Sequence, residues 1–356
     1  MTLRLATGGE SHGPSLVGIL SGLPAGLELD RDAIDADLAR RQQGYGRSPR
    51  QKLEQDRIEV IAGLRHGRTL GTPFAFLVRN RDHANWEWGM SPWPPEGEPS
   101  GKGTKPVTLP RPGHADLAGS LKYGLDDARN ALERASARQT AVTVAAGSVA
   151  KALLEQIGVA IVGSVVAMGN VDEAKADRDT VGGVVEVRAR GVSPGLGSYA
   201  SKEDRLDARL ASALMGIQAV KGVEVGDGFA LAGERGSAAH DEIFRDDRGY
   251  YRETNRAGGL EGGVSNGEEI VVRAAMKPLP TLMRPLRSAD LETGEPAEAL
   301  VERSDVAAVE ALSVVAEASV AFELARAARE KFGGDAIGDF VAAHGAYLER
   351  IPWSAR

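Results

Sequence analysis

Cysteine is absent from this 356-residue chain, which excludes disulfides, thiolate zinc sites, iron–sulfur clusters and a cysteine nucleophile. No uninterrupted apolar run approaches the ~20 residues of a membrane span. The first residues, Met1 to Leu5, lack the apolar core of a signal peptide, so a cytoplasmic protein is expected. The six histidines include no H-x-x-x-H pair, and no protein-bound metal is expected. No glycine-rich fingerprint follows a strand and opens a helix, so a Rossmann dinucleotide site has no support. A basic excess is missing too. The formal net charge is −7, and the 43 Lys and Arg fall in short local groups. That speaks against a nucleic-acid footprint and suits a small anionic ligand.

The chain does have apolar content for a core, at 42% hydrophobic residues, and a globular fold is expected. Its 44 glycines lie well above the usual ~7% share and imply many tight turns and close backbone approaches.

Leu16 to Leu23 reads as a strand. Asp30 can cap a helix running to about Gln43, with Ile34 and Leu38 on one face and Arg40 and Arg41 in its last turn. Arg57–Leu64 and Pro73–Arg79 read as strands. Trp88 to Pro110 is a long Pro/Gly-rich stretch, a candidate mobile loop. An alanine-rich helical segment runs from Asp126 to about Ile157, with a break near Ser136. Further strands are expected at Val159–Val166, Gly183–Arg190 and Glu269–Met276, and helices at Arg205–Val220 and Asp305–Phe332. Gly182-Gly183-Val184 and Gly262-Gly263-Val264 head related strand-like runs, a hint of duplication. No linker is marked, so one mixed domain over residues 1–356 is expected, with helices packed between sheets.

Two histidines stand in turn-forming sequence: Gly9-Glu10-Ser11-His12-Gly13 and Arg111-Pro112-Gly113-His114-Ala115-Asp116. Imidazoles on tight turns with cations nearby suit proton transfer around an anionic substrate. The first stretch formally matches the G-x-S-x-G nucleophile elbow, but the segment after it reads as a strand where an elbow needs a helix. Arg40, Arg41, Arg47 and Arg50 surround Gly44 and Gly46. Guanidinium groups take carboxylate and phosphate in two-pronged fashion, and the glycines let a loop wrap a ligand. Arg134 and Arg138 stand four apart, on one helix face if the helix is continuous. Lys277-Pro278-Leu279-Pro280-Thr281 reads as a rigid wall, and Ser304 or Asp305 as the cap of the last long helix. His66, His83, His240 and His344 lie in ordinary polar surroundings and read as surface or structural residues.

Three classes stay open. They are an enzyme acting on a phosphorylated polyanion, a serine hydrolase using Ser11, and a non-catalytic flavin- or phosphate-binding protein.

In order along the chain stand GESHGP (9–14), RRQQGYGR (40–47), RPGHAD (111–116), KYGLDDAR (122–129), ERASAR (133–138), GIQAVKGVEVGDGF (216–229), TNRAGGLEGGVSNG (254–267), KPLPT (277–281) and RSD (303–305). With these blocks the chain resembles the chorismate synthase family along nearly its whole length. The resemblance implies an α+β fold, a β-α-β sandwich unrelated to Rossmann or flavodoxin architectures, and a homotetramer. It implies a lyase of the shikimate pathway, which carries out the 1,4-anti elimination of phosphate from 5-enolpyruvylshikimate 3-phosphate to give chorismate. The reaction requires reduced FMN with no net redox change, and NADPH is a candidate reductant for the flavin. The implied substrate clamp is Arg41, Arg47, Arg50 and Arg138. His12 would act at the leaving phosphate, His114 beside the reduced flavin, and Ser11 with Asp305 as a proton relay. Flavin contacts would come from Arg134, Ala135, Ser136, Gln218, Ala219, Gly262, Lys277, Pro278, Leu279, Pro280, Thr281 and Arg303. Three places depart from common family patterns: Gln139 where many members have Glu, the Ser304-Asp305 pair, and a shorter stretch between Gly169 and Thr180.

Overall fold

A computed structural model describes residues 2–47, 54–302 and 305–353. The chain is built from two antiparallel four-stranded sheets with helices between them. The first sheet contains β1 (Arg4–Gly8), β2 (Ser15–Ser21), β3 (Ile58–Ala62) and β4 (Phe74–Arg79), in the spatial order β1-β2-β4-β3. The second contains β5 (Ala160–Met168), β6 (Gly183–Arg190), β7 (Val220–Val225) and β8 (Ile270–Met276), in the order β5-β6-β8-β7. Among the described residues the helices of seven or more residues are α1 (Arg31–Gln42), α2 (Asp116–Tyr123), α3 (Arg129–Ala135), α4 (Thr140–Glu155), α5 (Leu206–Met215), α6 (Val309–Phe332) and α7 (Ile337–Arg350).

The two orders are the same, and so is the order in which the sheet strands, the helix between their pairs and the long buried helix follow one another, apart from inserted short elements. Each half supplies two strands, a helix (α1 or α5), two more strands, and a closing long helix (α4 or α6). The duplication is therefore between halves. The two Gly-Gly-Val runs that hinted at it are not its copies. One heads β6, and the other forms a short hairpin strand, Val264–Ser265, ahead of β8.

Helix α4 and the stretch Ala311–Ala321 of α6 are buried nearly all round, as helices between layers are. Helix α4 lies on β2 and β4, α6 lies on β5, β6 and β8, and the two pack on each other. Small residues set the spacing. A Cβ at Gly147 of α4 would stand 2.3 Å from the Ala318 Cβ of α6, and one at Gly18 of β2 would stand 2.4 Å from the Phe76 ring. One apolar cluster extends without interruption from Leu3 to Phe340.

Charge buried inside this layer is met by counter-ions or by carbonyls; Arg329 of α6, 2% exposed, donates to the Gly22 carbonyl at 3.1 Å. Glu317 of α6 is 2% exposed. Its carboxylate accepts two bonds from Arg40 (3.0 and 2.9 Å), one from Lys151 (2.8 Å) and one from the Gly163 N–H (2.9 Å). Burial alone would raise its pKa, but the Arg40 and Lys151 contacts outweigh that and hold it below the ordinary glutamate range.

Several expected elements stand close to where the sequence puts them. Asp30 caps α1 through its Oδ1, which accepts the Asp32 N–H at 2.8 Å. The alanine-rich segment breaks at Ser136, where ψ turns to 141° between α3 and a short 3-10 turn. Two expectations need correction. The helix foreseen over Arg205–Val220 stops at Met215, because the chain turns at Gly216–Ala219 and Val220 begins β7. The last long helix begins at Val309, so Asp305 lies ahead of it and does not cap it. Among the described residues no helix is long and apolar enough to cross a membrane.

Candidate active site

The turn after β1 places Ser11 and His12. It is tied down from both sides. The Ser11 N–H donates to the Glu133 carbonyl at 3.1 Å, and Asn80, just past β4, donates to the carbonyls of Glu10 (3.0 Å) and Gly13 (2.7 Å). The end of α1 supplies Arg41. The Gly44–Arg47 loop is seated on the start of α6 by two bonds, Tyr45 N–H to Glu310 and Val306 N–H to the Gly46 carbonyl, each 2.8 Å. The α3–α4 joint brings Ala135 to Thr140. From the second sheet come Gln218 and Ala219, ahead of β7, and the Met276–Thr281 run that ends β8. These pieces enclose one cavity of about 370 Å³.

Of the residues singled out in the sequence, Ser11, His12, Arg41, Arg47, His114, Ala135, Ser136, Arg138, Gln218, Ala219, Lys277, Leu279, Pro280, Thr281 and Asp305 all line this cavity. Three do not. Arg134 turns away and donates to the carbonyls of Thr7 (3.3 Å) and Gly9 (3.4 Å), because the break at Ser136 separates it from Arg138. Gly262 sits in the Leu260–Ser265 hairpin, and Pro278 is not part of the lining. Arg50, Arg303 and Ser304 lie outside the described residues.

Each histidine is backed by a carboxylate that the sequence reading did not single out as a site residue. His12 Nδ1 lies 2.8 and 3.0 Å from the two Glu133 oxygens, and the His12 N–H donates to Glu133 Oε2 at 2.8 Å. His114 Nδ1 makes a short contact with Asp116, which Arg111 also holds through Nε (2.8 Å) and Nη2 (3.1 Å). Asp116 is fully buried and Glu133 nearly so. Burial would raise both carboxyl pKa values. Hydrogen bonds from His114 and Arg111 in one case, and from His12 in the other, reverse this and hold both below the ordinary range. A carboxylate at Nδ1 fixes the ring's tautomer and leaves Nε2 for the cavity. Asp116 follows His114 by two residues, a spacing that could have flagged it. Glu133 lies 121 positions from His12, and no spacing reveals it.

The arginines are paired rather than free, because buried guanidinium groups need partners. Asp56 bridges Arg138 (2.6 Å) and Arg41 (3.3 Å), and Arg47 meets Asp305 at 2.7 Å. Burial lowers the Arg41 pKa to about 10, assisted by Arg138 and Arg47, and opposed by Asp56; the group remains charged at neutral pH. Arg47 is lowered by burial as well, and its Nε is buried with no hydrogen-bond partner. Gln139 donates to the Gly9 carbonyl in a short contact and leaves Oε1 buried and unpartnered. The lining also includes the apolar side chains Leu132, Ile217, Met276, Leu279, Leu312 and Val315. No helix follows Ser11; β2 does. The strand–turn–helix setting of a hydrolase nucleophile is not present there.

Fixed cations, two carboxylate-backed imidazoles and apolar side chains share one cavity, a lining suited to a small anionic ligand. The family model described as chorismate synthase matches residues 3–177 and 167–328, and its two pieces meet at the stretch that reads as shortened. The chain is 52% identical over 386 residues to a chorismate synthase of Desulforudis audaxviator (strain MP104C), covering 98% of each. It is 51% identical over 388 residues to that of Symbiobacterium thermophilum, covering 98% of this chain and 99% of the relative. A crystal structure of chorismate synthase superposes with a TM-score of 0.79 at 36% identity, covering 99% of both chains. The chain belongs to the chorismate synthase family, lyases acting on a phosphate ester.

Proposed function

We propose that this chain converts 5-enolpyruvylshikimate 3-phosphate to chorismate by 1,4-anti elimination of phosphate, with reduced FMN bound and no net redox change. The observation that carries this reading is the convergence of His12, His114, Arg41, Arg47, Arg138 and Asp305, drawn from both ends of the chain, on one cavity.

The residues present fit a flavin. The apolar side chains of the lining offer a face for a flat ring, and Ala219, at a turn with φ of 67°, adds a small residue to that lining. Ala135, Ser136, Gln218, Ala219, Lys277, Leu279, Pro280 and Thr281 would hold it. When bound, reduced FMN supplies the electron-rich partner that the elimination requires.

The protein's share is electrostatic and acid–base. Arg41 and Arg138 are held rigid by Asp56, so cationic forks are oriented before the substrate arrives. Arg47 is the cation set to exchange partner, from Asp305 to a substrate oxygen, with its unpartnered Nε adding a second prong. His12 Nε2 supplies charge or a proton to the departing phosphate. His114 Nε2 serves the flavin side. Asp305, released by Arg47, and Ser11 carry away the proton lost from carbon. The Trp88–Pro110 loop closes the site against water.

We also read the layered helices and sheets as the β-α-β sandwich of the family, forming one domain, and the protein as cytoplasmic. The apolar outer edge of β5, with Val162, Val165, Val166 and Met168 exposed, supports assembly into a homotetramer; sedimentation as a monomer would contradict it. The primary test is an anaerobic assay with dithionite-reduced FMN. Chorismate absorbance and phosphate should rise in equal amounts, and oxidised FMN should give neither. NADPH in place of dithionite shows whether this chain reduces its own flavin.

A further inference from the structure

The His12 imidazole is fixed on a second side as well. The Trp86 indole stacks on it, with ring centroids 3.9 Å apart and planes at 20°. Trp86 is itself held. Its Nε1 donates to Asp82 at 3.1 Å, and the Arg129 guanidinium lies 5.0 Å from the indole centroid. The loop that leaves after Trp86 returns over it. Lys102 N–H donates to the Asn85 carbonyl at 2.7 Å, and Lys102 Nζ reaches Asp82 at 3.3 Å. Gly103 comes next, where a Cβ would stand 2.8 Å from the indole.

We propose that Trp86 and Glu133 are positioning residues for His12: Glu133 fixes the tautomer at Nδ1, and Trp86 fixes the plane of the ring. The proposal rests on the reading that His12 acts at the leaving phosphate. An ionised carboxylate only accepts, so Glu133 requires the proton on Nδ1; a second proton, on Nε2, makes the imidazolium that offers charge or a proton to the departing phosphate. A hydrogen bond at one atom still permits the imidazole to swing about that bond. The stacked indole removes this freedom, and the loop base, closed through Lys102 and Gly103, keeps the indole in place. The long loop thereby acts on the site through Trp86.

The test compares Glu133→Gln, Trp86→Leu and Trp86→Phe with His12→Ala, in the holoenzyme with reduced FMN under anaerobic conditions. A glutamine at 133 can turn its NH2 toward Nδ1 and select the opposite tautomer. Glu133→Gln and Trp86→Leu are expected to lower kcat about tenfold or more while KM stays within about twofold. Trp86→Phe, which keeps a flat ring on the imidazole, should recover most of that loss. In spectra of protein labelled with 15N-histidine, the His12 signal should report Nδ1–H in the parent and Nε2–H in Glu133→Gln. If His12→Ala loses turnover while Glu133→Gln and Trp86→Leu do not, or if the tautomer is unchanged in Glu133→Gln, the positioning role is wrong and the reading of the site stands. If His12→Ala itself turns over normally, both fall. The tautomer signature needs no activity, so a Trp86 variant that fails to fold does not spare the proposal.

Discussion

At the scale of the residue, the site works by pairing. Arg47 and Asp305 are each nearly buried and hold one another, so a polyanion must displace Asp305 to gain Arg47. Replacing Arg47 by Ala removes the fork and leaves Asp305 without that cation. Substrate KM should rise by at least about tenfold, the scale of one lost charge-assisted contact. An unchanged KM would remove Arg47 from the clamp. Asp116 offers a second test. With Arg111 and His114 on its oxygens, Asp116→Asn keeps the shape and allows a wrong donor toward His114 Nδ1. Turnover should fall by about two orders of magnitude, as for a lost acid–base group, with the circular dichroism spectrum intact. A variant with full turnover would show that His114 needs no such partner.

At the scale of the element, the helix layer carries the fold, and its weak points are its buried charges and its closest contacts. Glu317 joins α1, α4, α6 and β5 through Arg40, Lys151 and Gly163. Glu317→Ala should cost about 1–3 kcal/mol, because the Gly163 N–H loses its acceptor and Arg40 and Lys151 are left to share Asp37. Chemical denaturation measures this, and a loss within experimental error would contradict the clasp. Its folded pKa lies below its unfolded one. The stability it contributes is therefore complete above the ordinary glutamate range and is lost as pH falls through the folded value. Glu317→Gln should flatten the fall of stability below about pH 4. At Gly147, where the α4–α6 approach leaves no room for a methyl group, Gly147→Ala should cost about 1–3 kcal/mol through overpacking.

Elements with their own local signal were legible in the sequence. The Asp30 cap, the break at Ser136 and strand β6 stand where spacing and propensity put them. Elsewhere tertiary contact decided. Helical periodicity continues past Met215, yet the chain turns there to join the second sheet. Asp305 has the look of a cap and is instead claimed by Arg47. The site followed the same rule. Most residues given a role lay within recognisable blocks, whereas Glu133, although it opens the ERASAR block, and Asp56 and Trp86 outside any block act through partners distant in the chain, a relation that no one-dimensional pattern contains.

At the scale of the whole molecule, the repeated halves explain why the site is assembled from so many segments. The first half contributes the His12 turn, Arg41 and the α3–α4 joint. The second contributes the ends of β7 and β8 and the start of α6. A ligand that bridges them should stabilise the whole chain. At one hundred times its Kd the substrate should add about 2.7 kcal/mol, seen as a raised Tm. Arg47→Ala should need proportionally more ligand for the same shift.

The most direct measurement is the single-turnover rate of phosphate release under anaerobic conditions, with reduced FMN and the enolpyruvyl ester, in the parent chain and in His12→Ala. Phosphate and chorismate should appear together in the parent, and the variant should be slower by about two orders of magnitude or more. Phosphate release at the parent rate in His12→Ala, or release without chorismate in the parent, would contradict the assignment of this cavity.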